Sequence, residues 1–98
     1  MKNKNLLITG AATRIGKAIA LHFAERGWNI ALHYFRSSSK VRELKKIIEQ
    51  NWIKVVLIKA DLKNPKQVEK IMPLAKRKLG TIDCLITVSY THLRAHET

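Results

Sequence analysis

Two hydrophobic periods alternate along the chain. Short, nearly unbroken apolar runs occur at residues 6–8, 28–34, 55–58 and 82–86, the length of buried strands. Between them the apolar residues spread to helical spacing. Ile15, Ala18, Ile19 and Phe23 mark one face of a first helix over residues 14–26, and Gly27 ends it. Val41, Leu44, Ile47 and Ile48 stripe a second helix to about Gln50, with Ser37, Ser38 and Ser39 as candidate N-caps. Val68, Ile71, Leu74 and Ala75 stripe a third, opened by Asn64 as N-cap and Pro65 at N1. Pro73 should kink that helix or split off its last turns, and Gly80 stops it. The first strand covers residues 5–9 and the third lies within residues 52–59.

Strand and helix in strict alternation predict parallel βαβ units and an α/β fold. Right-handed crossovers then place strand two beside strand one, strand three beyond it, and strand four on the other side, in the order 3-2-1-4. The order reverses between strands one and four. A ligand is expected across the carboxyl ends there.

Composition narrows the class. Ninety-eight residues make at most one small domain. There is no apolar run of membrane-spanning length, and residues 1–5 lack the apolar core of a signal peptide, so a cytoplasmic location and no membrane partner are expected. The single cysteine, Cys84, sits in an apolar run and reads as a packing residue in a reducing compartment. The net charge of +12 comes largely from lysines spread over predicted helix exteriors without interleaved aromatics. That favours a solvated basic surface over specific nucleic-acid binding, and leaves attraction to polyanions or a phosphorylated cofactor open. His22 reads as a surface residue.

Candidate chemistry gathers where the first strand meets the first helix. Gly10 allows a tight turn, and Gly16 lets the first helical turn approach a strand or ligand closely. The helix start offers unpaired N–H groups and the positive end of a dipole, which suits a phosphate. After strand two the chain reads His33-Tyr34-Phe35-Arg36-Ser37-Ser38, with no acid for a ribose 2′-hydroxyl. Arg36 and the serines suit a 2′-phosphate instead, so NADPH is expected over NADH; a solvated loop arginine is the alternative.

The turn, Thr9-Gly10-Ala11-Ala12-Thr13-Arg14-Ile15-Gly16, resembles the T-G-x-x-x-G-x-G turn of short-chain dehydrogenases/reductases. Arg14 in place of the middle glycine, followed by the H-Y-x-R-S string, is similar to the pteridine reductase branch. The resemblance covers residues 5–86 and implies a truncated Rossmann-type, doubly wound parallel sheet. It also implies a cofactor site. Gly10 and Gly16 form the turn, and Arg14 and Ile15 lie on the pyrophosphate and nicotinamide side. His33 and Tyr34 line the adenosine end, with Arg36 and Ser37 on the 2′-phosphate. Asp61 matches an acid that hydrogen-bonds adenine, with Leu62 beside it; a turn or capping role for Asp61 is the alternative. The implied parent is an NADPH-dependent oxidoreductase of dihydropterin or dihydrofolate, acting as a homotetramer. A 3-oxoacyl-thioester or other ketone reductase is the sibling reading. A non-catalytic basic fragment that binds nucleotides or RNA by charge is the reading from another class.

Residues 1–87 are thus expected to be the N-terminal part of an NADP-binding domain. Beyond them the family's N-N-A-G segment is missing. Residues 88–98 resemble, residue for residue, one translated frame of a transposase-type sequencing-library adapter. They are expected to be a non-native, disordered tail. Ser89, Tyr90 and Arg94 imitate a Ser plus Tyr-x-x-x-Lys catalytic set, and His92 and His96 imitate a metal pair. Neither role is assigned. No catalytic or metal-ligating residue is expected, and the chain as written should not turn over.

Overall fold

A computed structural model gives the arrangement of the chain, and residues 3–88 are described here. The order is β1 (Asn5–Thr9), α1 (Arg14–Glu25), β2 (Asn29–Tyr34), α2 (Ser38–Ile48), a 3-10 turn at Glu49–Asn51, β3 (Val55–Lys59), α3 (Pro65–Leu79) and β4 (Cys84–Thr87). All four strands are parallel, in the order β3-β2-β1-β4, as the apolar pattern predicts. Alternate residues serve opposite faces of the sheet. Leu6, Ile8, Ile30 and Leu32 meet Val41, Leu44 and Ile48 on the side of α1 and α2. Leu7, Ala31 and Ile58 meet Ile71 and Ala75 of α3 on the other side.

The helix faces differ in places from the sequence pattern. The buried residues of α1 are Gly16, Ala20 and Ala24, not the larger apolar ones. Ile15 is 58% exposed, Ala18 is exposed, and Ile19 and Phe23 are half-buried. Small side chains bring the helix close to the sheet, and the larger residues flank the contact. On α2, Ile47 is 43% exposed while the rest of its stripe is buried. Pro73 does not split α3, which runs unbroken from Pro65 to Leu79. Both Pro73 and Glu69, whose carbonyl loses its helical partner there, lie on the exposed side, where water can replace the bond. Trp52 is not in the third strand. It sits in the left-handed region (φ 63°), 94% exposed, at the end of the 3-10 turn.

At the amino end of the sheet, two asparagines stitch the strands together. The Asn29 carboxamide accepts from Lys54 N–H (2.8 Å) and donates to Asn5 Oδ1 (3.0 Å). Asn5 Nδ2 donates to the carbonyls of Leu79 (3.1 Å) and Thr81 (2.8 Å), and Asn5 N–H donates to Asp83 Oδ2 (2.8 Å). The chain of bonds runs from the entry to β3, across β2 and β1, to the entry to β4. At the other end Val88 is buried, and its N–H donates to the Thr9 carbonyl (3.3 Å). Residues 89–98, with Ser89, Tyr90, His92, Arg94 and His96, lie outside the described residues.

Candidate functional site at the carboxyl rim

β1 ends at Thr9, and the chain reverses through Gly10, whose φ of 72° is open to glycine and costly for most residues. Thr13 caps α1. Its hydroxyl donates to the Gly10 carbonyl (2.8 Å) and accepts from Gly16 N–H (2.9 Å), while Thr13 N–H donates to the same carbonyl (3.1 Å). Gly16 packs directly under the turn. A Cβ there would collide with the Gly10 carbonyl oxygen. Closure of the turn therefore depends on both glycines and on Thr13.

This closure leaves specific donors unspent. Ala11 N–H donates to the His33 carbonyl (2.9 Å) and Gly10 N–H to the His33 ring. The N–H groups of Ala12, Arg14 and Ile15 have no partner among the described residues. They sit at the positive end of a 12-residue helix with Arg14 beside them, a preformed cradle for a diphosphate.

Six of the residues singled out in the sequence converge on one open cleft of ≈ 250 Å³: Gly10, His33, Tyr34, Arg36, Asp61 and Leu62. Their roles differ. Arg36 is exposed, its guanidinium 5.3 Å from the Phe35 ring centroid, which steadies the cation without consuming its donors. Ser37 sits at the N-cap of α2 in the left-handed region (φ 62°) and makes no side-chain capping bond, so its hydroxyl remains available. Tyr34 is packed in the larger core, and its carbonyl accepts from Ala60 N–H (3.0 Å). Asp61 is committed in part to its own loop. Its Oδ1 accepts from Lys63 N–H (2.9 Å), and its N–H donates to Gln67 Oε1 (2.7 Å). That is the turn role left open by the sequence, and Leu62 lies exposed beside it.

His33 departs most from its expected place. Its side chain is 2% exposed, with Nδ1 accepting from Gly10 N–H (3.1 Å) and Nε2 against the Ala60 carbonyl (2.9 Å). Both ring nitrogens are spent on main chain. Burial holds the ring below its usual pKa of 6.5, partly offset by the Ala60 bond. The neutral tautomer with its proton on Nε2 satisfies both neighbours.

Arg14 does not line this cleft. It borders a neighbouring groove of ≈ 330 Å³ between α1 and α2, with Lys17, Lys40 and Glu43. Ile15 is exposed at the helix start. The sequence reading missed Thr13, although a threonine three residues before the helical glycine has cap spacing. It also missed Lys17 and Lys40, which meet only because α1 and α2 pack side by side. Among the described residues no cluster of His, Cys, Asp and Glu could hold a metal, and no helix is long and apolar enough to cross a membrane.

This construction, a glycine turn feeding a helix amino end at the switch point of a parallel sheet, defines a dinucleotide-binding α/β fold. Residues 4–90 match the family model for short chain dehydrogenase, and the chain belongs to that family. It is 33% identical over 98 residues to versicolorin reductase 1 of Dothistroma septosporum, covering 96% of this chain and 37% of that protein. It is 31% identical over 84 residues to the 3-oxoacyl-acyl-carrier-protein reductase FabG of Staphylococcus epidermidis, covering 86% and 34%. A dehydrogenase structure from Burkholderia cenocepacia with bound NADP superposes with a TM-score of 0.81 at 29% identity, over 88% of this chain and 34% of that one. The chain thus spans little more than a third of the length of these relatives.

Proposed function

We propose that the chain forms the adenosine and diphosphate half of an NADPH site in a longer reductase. The observation that carries this reading is the pairing of two anion seats on one rim. Three N–H groups without a partner among the described residues stand with Arg14 at the start of α1, and Arg36 and Ser37 stand beyond β2 with no carboxylate in residues 33–38. The diphosphate rests on the first seat, with Arg14 and Ile15 beside it. A 2′-phosphate on the adenosine ribose rests on the second, in reach of a guanidinium fork and a hydroxyl. Asp61 retains an oxygen for the adenine amino group, and Leu62 offers an apolar edge. The cofactor, once bound, supplies a hydride. This chain's residues bind and orient it and do no proton transfer, so the 98-residue chain is inactive alone.

The resemblance of Arg14 and of the H-Y-x-R-S string to pteridine reductases supports a dihydropterin or dihydrofolate substrate for the longer enzyme, acting in the cytoplasm as a homotetramer. Likeness to a 3-oxoacyl-thioester reductase supports the sibling reading. Family membership disfavours a fragment that binds RNA by charge alone.

Titration of the chain with NADPH and NADH tests the cofactor reading. NADPH is expected to bind at least about tenfold tighter, a difference of roughly 1.4 kcal/mol. Equal affinities would overturn the 2′-phosphate seat. An independent nucleotide read beyond codon 86 supplies the longer chain, whose turnover with dihydrobiopterin against a 3-oxoacyl thioester separates the two substrates.

A further inference from the structure

We infer that His33 is a positioning residue: its neutral ring is a strut that fixes the glycine turn relative to the loop after β3, so that cofactor binding at this rim weakens when the ring takes up a proton. The inference rests on the NADPH reading above and goes beyond it. It assigns the residue a role other than ligand contact and gives the site a pH dependence.

The geometry is specific. His33 lies near the carboxyl end of β2, between β1 and β3 in the sheet, and pairs in register with Ile58. One ring nitrogen reaches Gly10, 23 residues earlier, and the other reaches Ala60, 27 residues later. Gly10 opens the turn that presents the diphosphate donors. Ala60 precedes Asp61 and Leu62 at the adenine end. The ring therefore bridges the two halves of the adenosine site, beside the main-chain bonds from Ala11 to His33 and from Ala60 to Tyr34. It does so in one protonation state only. Protonated Nδ1 would present a second N–H to the Gly10 N–H, and two donors cannot share that contact. The turn must then open, or the ring must leave its slot.

The ring is shielded from other titrating groups. The glycine turn contributes Gly10, Ala12 and Thr13 to the cleft, none ionisable. The charged groups at the rim are Arg36 on the loop after β2, and Asp61 and Lys63 on the loop after β3. Lys59 and, from α3, Lys70 lie in the crevice beside Ala60. Across the sheet, α1 and α2 present Arg14, Lys17, Lys40 and Glu43. None of these groups makes a contact with the ring, whose partners are the Gly10 N–H and the Ala60 carbonyl.

The test compares the chain with His33→Gln, which keeps a donor and an acceptor and loses the ionisation. The dissociation constant for NADPH is measured from about pH 8 to about pH 5.5, the range in which histidine changes charge. The 2′-phosphate also titrates here, so the variant's profile supplies the cofactor's own contribution. The natural chain is expected to lose affinity by at least about threefold more than His33→Gln over that range. Nitrogen NMR of the ring is expected to show an Nε2-protonated neutral imidazole at pH 8, with the Gly10 amide shifting as the ring titrates. Identical pH profiles in the two chains, or a Gly10 amide that ignores the ring, would overturn the strut while leaving the cofactor site standing. No NADPH binding at pH 8 by the natural chain would overturn the cofactor reading itself, and this inference with it.

Discussion

At the amino rim of the sheet, Asn5 and Asn29 spend their carboxamides on main chain and on each other, tying the approaches of all four strands together. At the carboxyl rim the accounting is different. The N–H groups of Ala12, Arg14 and Ile15 and the Ser37 hydroxyl are left without partners, and the buried Thr9 Oγ1 has none among the described residues. Of these only the Thr9 hydroxyl is buried, where an unmet polar group costs about 1–3 kcal/mol; Arg14, Ile15 and Ser37 are exposed to water. One end of the sheet meets its polar groups from within the fold, and the other leaves several open to water, where the proposed cofactor would take them up. Substitutions at the first rim should cost stability and spare cofactor preference. Substitutions at the second should do the reverse.

The largest effect is expected at Asn5. Asn5→Leu keeps the branching at Cγ and removes every carboxamide bond, leaving the Leu79 and Thr81 carbonyls and the Asn29 amide without their partner. Urea denaturation should show a loss of about 2–4 kcal/mol. Whatever folded chain remains should still prefer NADPH to NADH. A stable variant with altered preference would dissolve the division between the rims.

Gly16 lies where the two demands meet. Gly16→Ala places a methyl group against the Gly10 carbonyl, so α1 must lift from the turn. Overpacking of this kind costs about 1–3 kcal/mol. Because the same shift moves the Arg14 and Ile15 donors, NADPH and NADH should both bind more weakly, and by similar factors. Calorimetric titration with each cofactor checks the parity.

Arg36 sharpens the contrast from the other side. It is exposed, and its guanidinium lies over the ring of its own neighbour Phe35. Arg36→Ala should leave the thermal midpoint nearly unchanged, within roughly 0.5 kcal/mol of stability. NADPH affinity should fall about tenfold or more, with NADH little affected, since a charge-assisted pair to a phosphate is worth about 1.5–3 kcal/mol. Equal losses for both cofactors would move the 2′-phosphate elsewhere, the groove of Lys17 and Lys40 being the nearest alternative.

Much of this division was legible before any coordinates. Four apolar runs separated by three helical stripes point to a right-handed parallel sheet, the order 3-2-1-4 is one that such crossovers allow, and the glycines at 10 and 16 mark the rim of the candidate site. The rest depended on contacts made across the chain. The buried stripe of α1 is Gly16, Ala20 and Ala24, residues that weigh little on any hydropathy scale and are selected by how near the helix must come. Trp52 reads as a strand residue by its bulk, and only the geometry of the turn before β3 sets it in solvent. His33 reads as a lining residue of the cofactor site. Its two partners lie 23 and 27 residues away, just past the ends of the strands that flank its own, so only the register reveals a brace.

The smallest expected effect gives the finest comparison, because each rim holds one non-glycine residue in the left-handed region: Trp52 (φ 63°) at the amino rim and Ser37 (φ 62°) at the carboxyl rim. Both follow or open a helical segment, and the backbone strain should be alike. A side chain in that region costs about 1–2 kcal/mol, and glycine's freedom in the unfolded chain returns about 0.5–1 kcal/mol of the relief. Trp52→Gly and Ser37→Gly should therefore each gain up to about 1 kcal/mol in urea denaturation. Trp52 contributes almost no buried surface, so its replacement should leave both cofactor affinities untouched. Ser37→Gly removes a hydroxyl that no capping bond employs, and it should weaken NADPH alone. If strain at Ser37 is kept because its hydroxyl faces a phosphate, stability and NADPH affinity will move in opposite directions there and nowhere at Trp52. A gain in both at Ser37 would show that the strain serves only the path of the chain into α2.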